Sequence, residues 1–433
     1  MTQAWIDRIL SGGLDARLRE LYGSERVAAQ RERYARAVTS YREVFGEPDN
    51  LWLFSAPGRT EIGGNHTDHN HGRVLAGAVD LDILAVVSRT GADSPARVQS
   101  QGYRMDTVEP GEVEARQEEK NRAISLLRGT VAGFVRRGHR VGGFNAYTTS
   151  DVLKGSGLSS SAAYEVALGA ILNRLYNGGG VSAVEIAQIA QYAENEYYGK
   201  PSGLMDQMAS SVGGVIAIDF EDPAHPHIRP VAADFEHSGY ALCIVDAGGS
   251  HADLTHEYAA VPQEMLAVAR SLGADTLRGT SSAAVLREIG PLRAAHGDRA
   301  VLRALHFFAE NERVDGEVAA LERGDFPAFL QLVAASGHSS FEYLQNVYPT
   351  VDVRHQGLSL ALCLAQGLLG SRGAWRVHGG GFGGTTQNFV PRDLVEPFRE
   401  RMEAVFGPGS CHILRLRAAG GVCVAAPEDA GAE

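Results

Sequence analysis

Cysteine is scarce in this chain, and long apolar runs, basic clusters and the common nucleotide-binding signatures are missing altogether. Among 433 residues there are four cysteines, Cys243, Cys363, Cys411 and Cys423, with no CxxC pair among them. That spacing argues against a disulfide framework or a structural zinc and for free thiols in a reducing compartment. No stretch approaches the roughly 20 apolar residues that span a bilayer, and Met1–Leu10 carries charges where a secretory segment would be apolar. A cytoplasmic protein is expected. Positive charge is in deficit, with 40 Lys and Arg against 52 Asp and Glu, a formal net charge of −12. Nucleic acid and anionic membranes reward basic surfaces, so neither is an expected partner. Repeats and low-complexity linkers are absent. So is GxxxxGK[ST], which removes the P-loop enzymes, and the linked motifs of protein kinases are absent too.

What is present is an ordinary globular composition, 44% hydrophobic and 21% charged, on a chain too long for one hydrophobic core. Two domains are expected, residues 1–235 and 236–433. The first 48 residues read as helical, stopping at Gly46-Glu47-Pro48. Strands are expected at Leu51–Ala56 and about Val74–Val87, with an irregular polar loop, Pro57–Gly72, between them. Helices are expected at Asn121–Gly138, Ala162–Tyr176, Ala183–Tyr198, Glu257–Leu272, Ala300–Arg323, Phe326–Leu332 and Val353–Leu369. Strands are expected at Val141–Ser150 and Gly214–Phe220, and a glycine-rich hairpin at Trp375–Val390. The intermingling without strict βαβ alternation points to an α+β fold.

One segment has the chemistry of a phosphate cradle: Gly155-Ser156-Gly157-Leu158-Ser159-Ser160-Ser161 before a helix of small and apolar residues. Glycines let backbone amides approach an anion, and a helix start adds unpaired N–H groups and the positive end of its dipole. A serine-rich helix cap after a glycine turn gives the same pattern, so this segment alone leaves both readings open.

Three further runs, in order along the chain, resemble the signatures of galactokinases within the GHMP superfamily of small-molecule kinases. They are Ser55–Asn70, with Arg59-Thr60-Glu61-Ile62-Gly63-Gly64-Asn65-His66-Thr67-Asp68-His69 at its centre; Ala193–Gly199 followed by Gly203-Leu204-Met205-Asp206-Gln207; and Gly379-Gly380-Gly381-Phe382-Gly383-Gly384. The resemblance spans Ser55 to Gly384. It implies a two-domain α+β fold with the active site in the cleft, and transfer of the ATP γ-phosphate to the C1 hydroxyl of galactose. It makes Asp206 and Arg59 the catalytic pair, gives Mg2+ to Ser160 and Glu194, and puts ATP phosphates on Gly155–Ser161. Sugar contacts would come from Asn65, His66, Asp68, the Gly203 backbone and Tyr258. The glycine hairpin, Gly379, Gly380, Gly381 and Gly383, would lie against phosphates and sugar, where no side chain fits; a plain tight turn is the other reading. Lys154 could add a charge or simply be solvated, and His69, His71 and His251 stay open. A monomer or weak oligomer is expected.

The chain departs from that pattern in places. Galactokinases usually carry a Glu where Asn65 stands, facing the C6 hydroxyl, and Tyr where His69 stands. Leu153 replaces a usual proline, Ala259-Ala260-Val261 replaces arginines, and Val347–Asp352 differs from a typical polar stretch. Galacturonate kinases also lack that Glu and have a His after the Asp. Another galacto-configured sugar (galacturonate, N-acetylgalactosamine or arabinose) or a sugar sensor without turnover are therefore the alternatives.

Overall fold

The computed structural model describes residues 1–152, 157–248 and 254–428. Three helices open the chain, α1 (Thr2–Leu10), α2 (Asp15–Tyr22) and α3 (Val27–Phe45). Then come β1 (Trp52–Gly63), β2 (Arg73–Arg89), β3 (Ala96–Ser100), β4 (Asp106–Val108), α4 (Ala123–Arg136) and β5 (Phe144–Ser150). They are followed by α5 (Ser160–Tyr176), α6 (Ala183–Tyr192), a π-helical turn (Ala193–Tyr198), α7 (Met205–Val212), β6 (Val215–Asp219) and β7 (His227–Pro230).

The second half holds β8 (Tyr240–Asp246), α8 (Thr255–Ser271), α9 (Ser282–Arg287), α10 (Ile289–His296), α11 (Asp298–Glu322), α12 (Phe326–Ser339) and α13 (Gly357–Leu369). It closes with β9 (Ala374–Val377), β10 (Thr385–Pro391), α14 (Val395–Phe406), β11 (Cys411–Leu414) and β12 (Val422–Ala425). The architecture is α+β, as expected.

The larger sheet runs β12-β1-β2-β5-β3-β4, with β6 pairing the first half of β2 and β7 pairing β6. Only β3 and β5 run parallel. Its two long strands, β1 and β2, are buried on both faces, which explains the near-continuous apolar sequence of β2. Leu53, Leu84 and Val86 meet Trp5, Tyr22, Tyr34 and Tyr41 of the N-terminal helices. Phe54, Ile83, Ala85 and Val87 face Leu127 and Phe134 of α4 and Ile171 of α5. That second core runs on into the smaller sheet, β11-β8-β10-β9, through Ile244, Phe389 and Leu414.

One expectation needs correction. The segment after Ala56 is not a loop: β1 continues through Pro57 to Gly63, paired with β2 across register shifts. Pro57 is tolerated because β12 pairs β1 only from Leu53 to Ser55, so no ladder bond is lost there. The turn begins only at Gly64. At the other end, the last strand returns to pair with β1 in the first sheet rather than staying with the second half. Among the described residues no helix is long and apolar enough to cross a membrane, and the four cysteines are free.

Candidate active site

Arg59 and Asp206 come from elements that the fold fastens together. Arg59 lies on β1, and its backbone N–H donates to Leu158 O at 3.0 Å, just before α5. Asp206 is the second residue of α7, where a negative charge suits the helix dipole. One turn on, Ser210 donates to Pro57 O of β1 at 2.6 Å and locks α7 to the strand. The Arg59 guanidinium then reaches Asp206 Oδ1 twice, from Nε at 2.7 Å and from Nη2 at 2.6 Å, and also bonds Gly157 O. Burial pushes the Asp206 carboxyl up, but Arg59, Lys200 and a hydrogen bond from Ser159 outweigh it and hold it below its ordinary value. Asp206 keeps 18% of its side-chain surface, so one side of this ion pair faces solvent.

The phosphate cradle is described from Gly157 onward; Gly155 and Ser156, with Leu153, Lys154 and His251, lie outside the described residues. Gly157 has φ +67°, a conformation glycine adopts without cost, and a Cβ there would stand 3.0 Å from His378 Nδ1. Leu158 is fully buried and anchors the loop. Ser159 sits in the left-handed region at φ 56°, turning the chain so that α5 starts at Ser160 with its first N–H groups unpaired by any side-chain cap.

Glu194 lies on the π-helical turn, a distortion that recurs at functional sites. Its carboxylate is fully enclosed and accepts four bonds: Ser161 Oγ at 2.8 Å, Lys200 Nζ at 2.9 Å, Ser202 Oγ at 2.6 Å and Gln207 Nε2 at 2.8 Å. Ser161, rather than Ser160, is thus the serine in contact with Glu194. Gln207 also donates to Glu165 Oε2 at 3.2 Å. Burial, and then the charge of Glu194, push the Glu165 carboxyl well above its ordinary value.

Of the expected sugar residues, Asn65, His66 and Tyr258 touch the glycine hairpin, and Asp68 lies against Gly203. Gly203 packs on Asp68, where a Cβ would fall 1.7 Å from Oδ2. His66, at φ 58°, places Nε2 3.0 Å from Gly380 O, and its ring lies 6.1 Å from that of His69. Burial, with His69 beside it, lowers the His66 pKa to about 4. Tyr258 donates to Gly381 O at 2.8 Å and packs edge-on against Phe382; burial raises its hydroxyl to about 12. The hairpin leaves no room for a side chain at two positions: a Cβ on Gly380 would meet the Tyr258 ring at 2.6 Å, and one on Gly381 would meet Asn346 O at 2.0 Å. Gly379 and Gly383 are buried.

Asn65 has no exposed surface, and its amide is fully used. Nδ2 donates to Glu61 Oε1 at 2.9 Å and Gly379 O at 2.8 Å, while Oδ1 accepts from Asn346 at 2.8 Å and Ser340 at 3.2 Å. Behind it, Glu61 pairs with Arg376 at 2.6 Å. Sequence reasoning missed Lys200, Ser202, Gln207, Glu165, His378 and Glu61. Gln207 stood beside Asp206 in the motif, and Glu165 sits one helical turn after Ser161; His378 and Lys200 gave no signal.

Residues 39–89 match the model of the galactokinase galactose-binding signature, and residues 125–214 that of the GHMP kinases N-terminal domain. The galactokinase of Streptomyces coelicolor is 33% identical over 373 residues, 84% of this chain and 91% of that protein. The chain belongs to the galactokinase family. A galactokinase of Mycobacterium tuberculosis is 34% identical over 355 residues, covering 78% and 89% of the two chains. Among solved structures, Lactococcus lactis galactokinase complexed with galactose superposes with a TM-score of 0.76 at 23% identity, over 89% of this chain and 98% of that one. The Methanococcus jannaschii mevalonate kinase gives 0.61 at 14% identity, over 86% and 99%. This galactokinase-family chain therefore has the GHMP kinase fold and is a phosphotransferase that uses ATP.

Proposed function

We propose that the chain is a galactokinase, transferring the γ-phosphate of ATP to the C1 hydroxyl of galactose. The observation that carries the reading is the Arg59–Asp206 ion pair, set between the start of α5 and the glycine hairpin with one side open to solvent. Phosphoryl transfer calls mainly for positioning and for stabilising charge that moves outward. Asp206, held ionised, accepts the proton of the sugar hydroxyl or orients it. Arg59 keeps that carboxylate charged and offers its guanidinium to the phosphoryl oxygens. Ser159, Ser160, Ser161 and the N–H groups opening α5, with Gly155, Ser156, Gly157 and Leu158, hold the phosphates.

No group of three or more acidic, His or Cys residues that could hold a metal occurs among the described residues. Magnesium borne on nucleotide phosphates needs only one or two protein oxygens, and a carboxylate with serine hydroxyls suits it. Glu194, with Ser160 and Ser161, would hold it, and bound Mg2+ would neutralise phosphate charge. His66, Asp68, the Gly203 backbone and Tyr258 are assigned to the sugar, across a division of the chain near residue 235.

The test is ADP release with Mg2+ and a panel of galactose, galacturonate, N-acetylgalactosamine, arabinose and glucose. Turnover highest on galactose is expected. Turnover confined to another sugar overturns the substrate, and sugar binding without turnover on any overturns the kinase reading.

A further inference from the structure

Among the described residues, Lys200 is the one charged partner of Glu194. Its ammonium donates to Oε1 at 2.9 Å, yet 53% of its side-chain surface is exposed. The other three donors behave differently. Gln207 is fully buried, and Ser202 is tied to Asn195 as well, its N–H donating to Oδ1 at 2.8 Å and its hydroxyl at 3.1 Å. Ser161 belongs to the first turn of α5. All four lone-pair directions of the Glu194 carboxylate are therefore engaged, and a divalent cation can reach it only by displacing a donor. The donor that leaves at least cost is the exposed one, on a flexible four-carbon stem whose ammonium water can solvate.

We propose that Lys200 is a positioning residue that occupies the Glu194 carboxylate in the metal-free protein and competes with the divalent cation for it. The ammonium keeps an enclosed carboxylate compensated while no metal is present, since a buried charge left unpaired is costly. On metal binding it swings out to solvent, so the positive charge at Glu194 is exchanged rather than accumulated. Competition of this kind weakens metal binding in the absence of nucleotide and makes occupancy depend on phosphates arriving with the metal.

The inference rests on Glu194 as the metal ligand, and the experiment separates the two. Nucleotide-free full-length protein is titrated with MnCl2, following free Mn2+ by electron paramagnetic resonance and the unfolding temperature in parallel. Lys200→Met should bind Mn2+ about fivefold more tightly than wild type, as for loss of one half-exposed ion pair. It should unfold at lower temperature in chelator and recover with Mn2+, while Lys200→Arg keeps wild-type behaviour. Lys200→Gln is read alongside, so that misfolding of one variant does not decide the matter. An identical Mn2+ response in wild type, Lys200→Met and Lys200→Gln, including no response in any, overturns the competition. Mn2+ binding unchanged in Glu194→Gln instead overturns the ligand assignment beneath it.

Discussion

Two aspartates in the first sheet's surroundings are each paired with arginine, and they differ in whether water can reach them. Asp82, on β2, has no exposed surface; Arg33 at 2.6 Å, Arg417 at 3.3 Å, Tyr22 at 2.5 Å and Ser55 all point at it. Asp206 is gripped by Arg59 through one oxygen and keeps a solvent face. In both, burial pushes the carboxyl up and the neighbouring cations bring it below its ordinary value. A lowered pKa therefore does not distinguish a catalytic group from a structural one. The distinction lies in whether the partners close the carboxylate off. Asp82 ties α2, α3, β1, β2 and the connection between β11 and β12 together, and Asp206 keeps a side open to solvent.

That contrast is open to attack from both sides. The largest expected effect is on Asp206→Asn, which should lower kcat at least about 100-fold, the scale of acid–base contributions, with little change in unfolding temperature. Steady-state ADP release and thermal unfolding decide it, and near wild-type kcat would erase the contrast. Asp82→Asn should do the reverse. Leaving Arg33 and Arg417 facing a neutral amide costs about 3–5 kcal/mol, roughly 10 °C in unfolding temperature, with kcat per folded molecule retained.

Asn65 tests the same rule on the sugar side. Asn65→Glu would set a second carboxylate against Glu61 and should destabilise the protein by about 1–3 kcal/mol in denaturant unfolding. Adding Glu61→Gln should recover part of that loss, and independent, additive losses would show that the two side chains are not coupled.

A smaller effect concerns pH. His66 is neutral in the native protein because its pKa falls to about 4, against about 6.5 in an unfolded chain. Its contribution is present above pH 6.5 and is lost as the unfolded chain takes up the proton between pH 6.5 and 4. Burial lowers the His306 pKa too, in the same direction. Unfolding temperature should decline over that window, and His66→Gln should flatten the slope in part; an unaltered slope would deny His66 a share. Tyr258→Phe, losing the bond to Gly381, should cost about 1 kcal/mol in denaturant unfolding.

The helices before residue 48, the start of α5 and the hairpin were legible because periodicity, a serine-rich helix start and glycines are local signals. The run Pro57–Gly63 misled, since proline and glycine argue for a loop unless one knows that β1 is paired there by β2 alone and that β12 has already left its other edge. The C-terminal strand was equally opaque: four residues of β12 say nothing about which sheet accepts them. Asn65 looked like a lone substitution facing the sugar, and only its four partners, three of them from two distant segments, reveal a saturated amide.

The sequence by itself determined the family, the motif residues and the chemistry they can perform, because these follow from residue types at short spacing. Tertiary structure alone decided which carboxylate is open and which is sealed, and that Lys200 sits on Glu194. Those facts depend on atoms brought together from far along the chain, where distance and access to water, rather than spacing, set what a charged group can do.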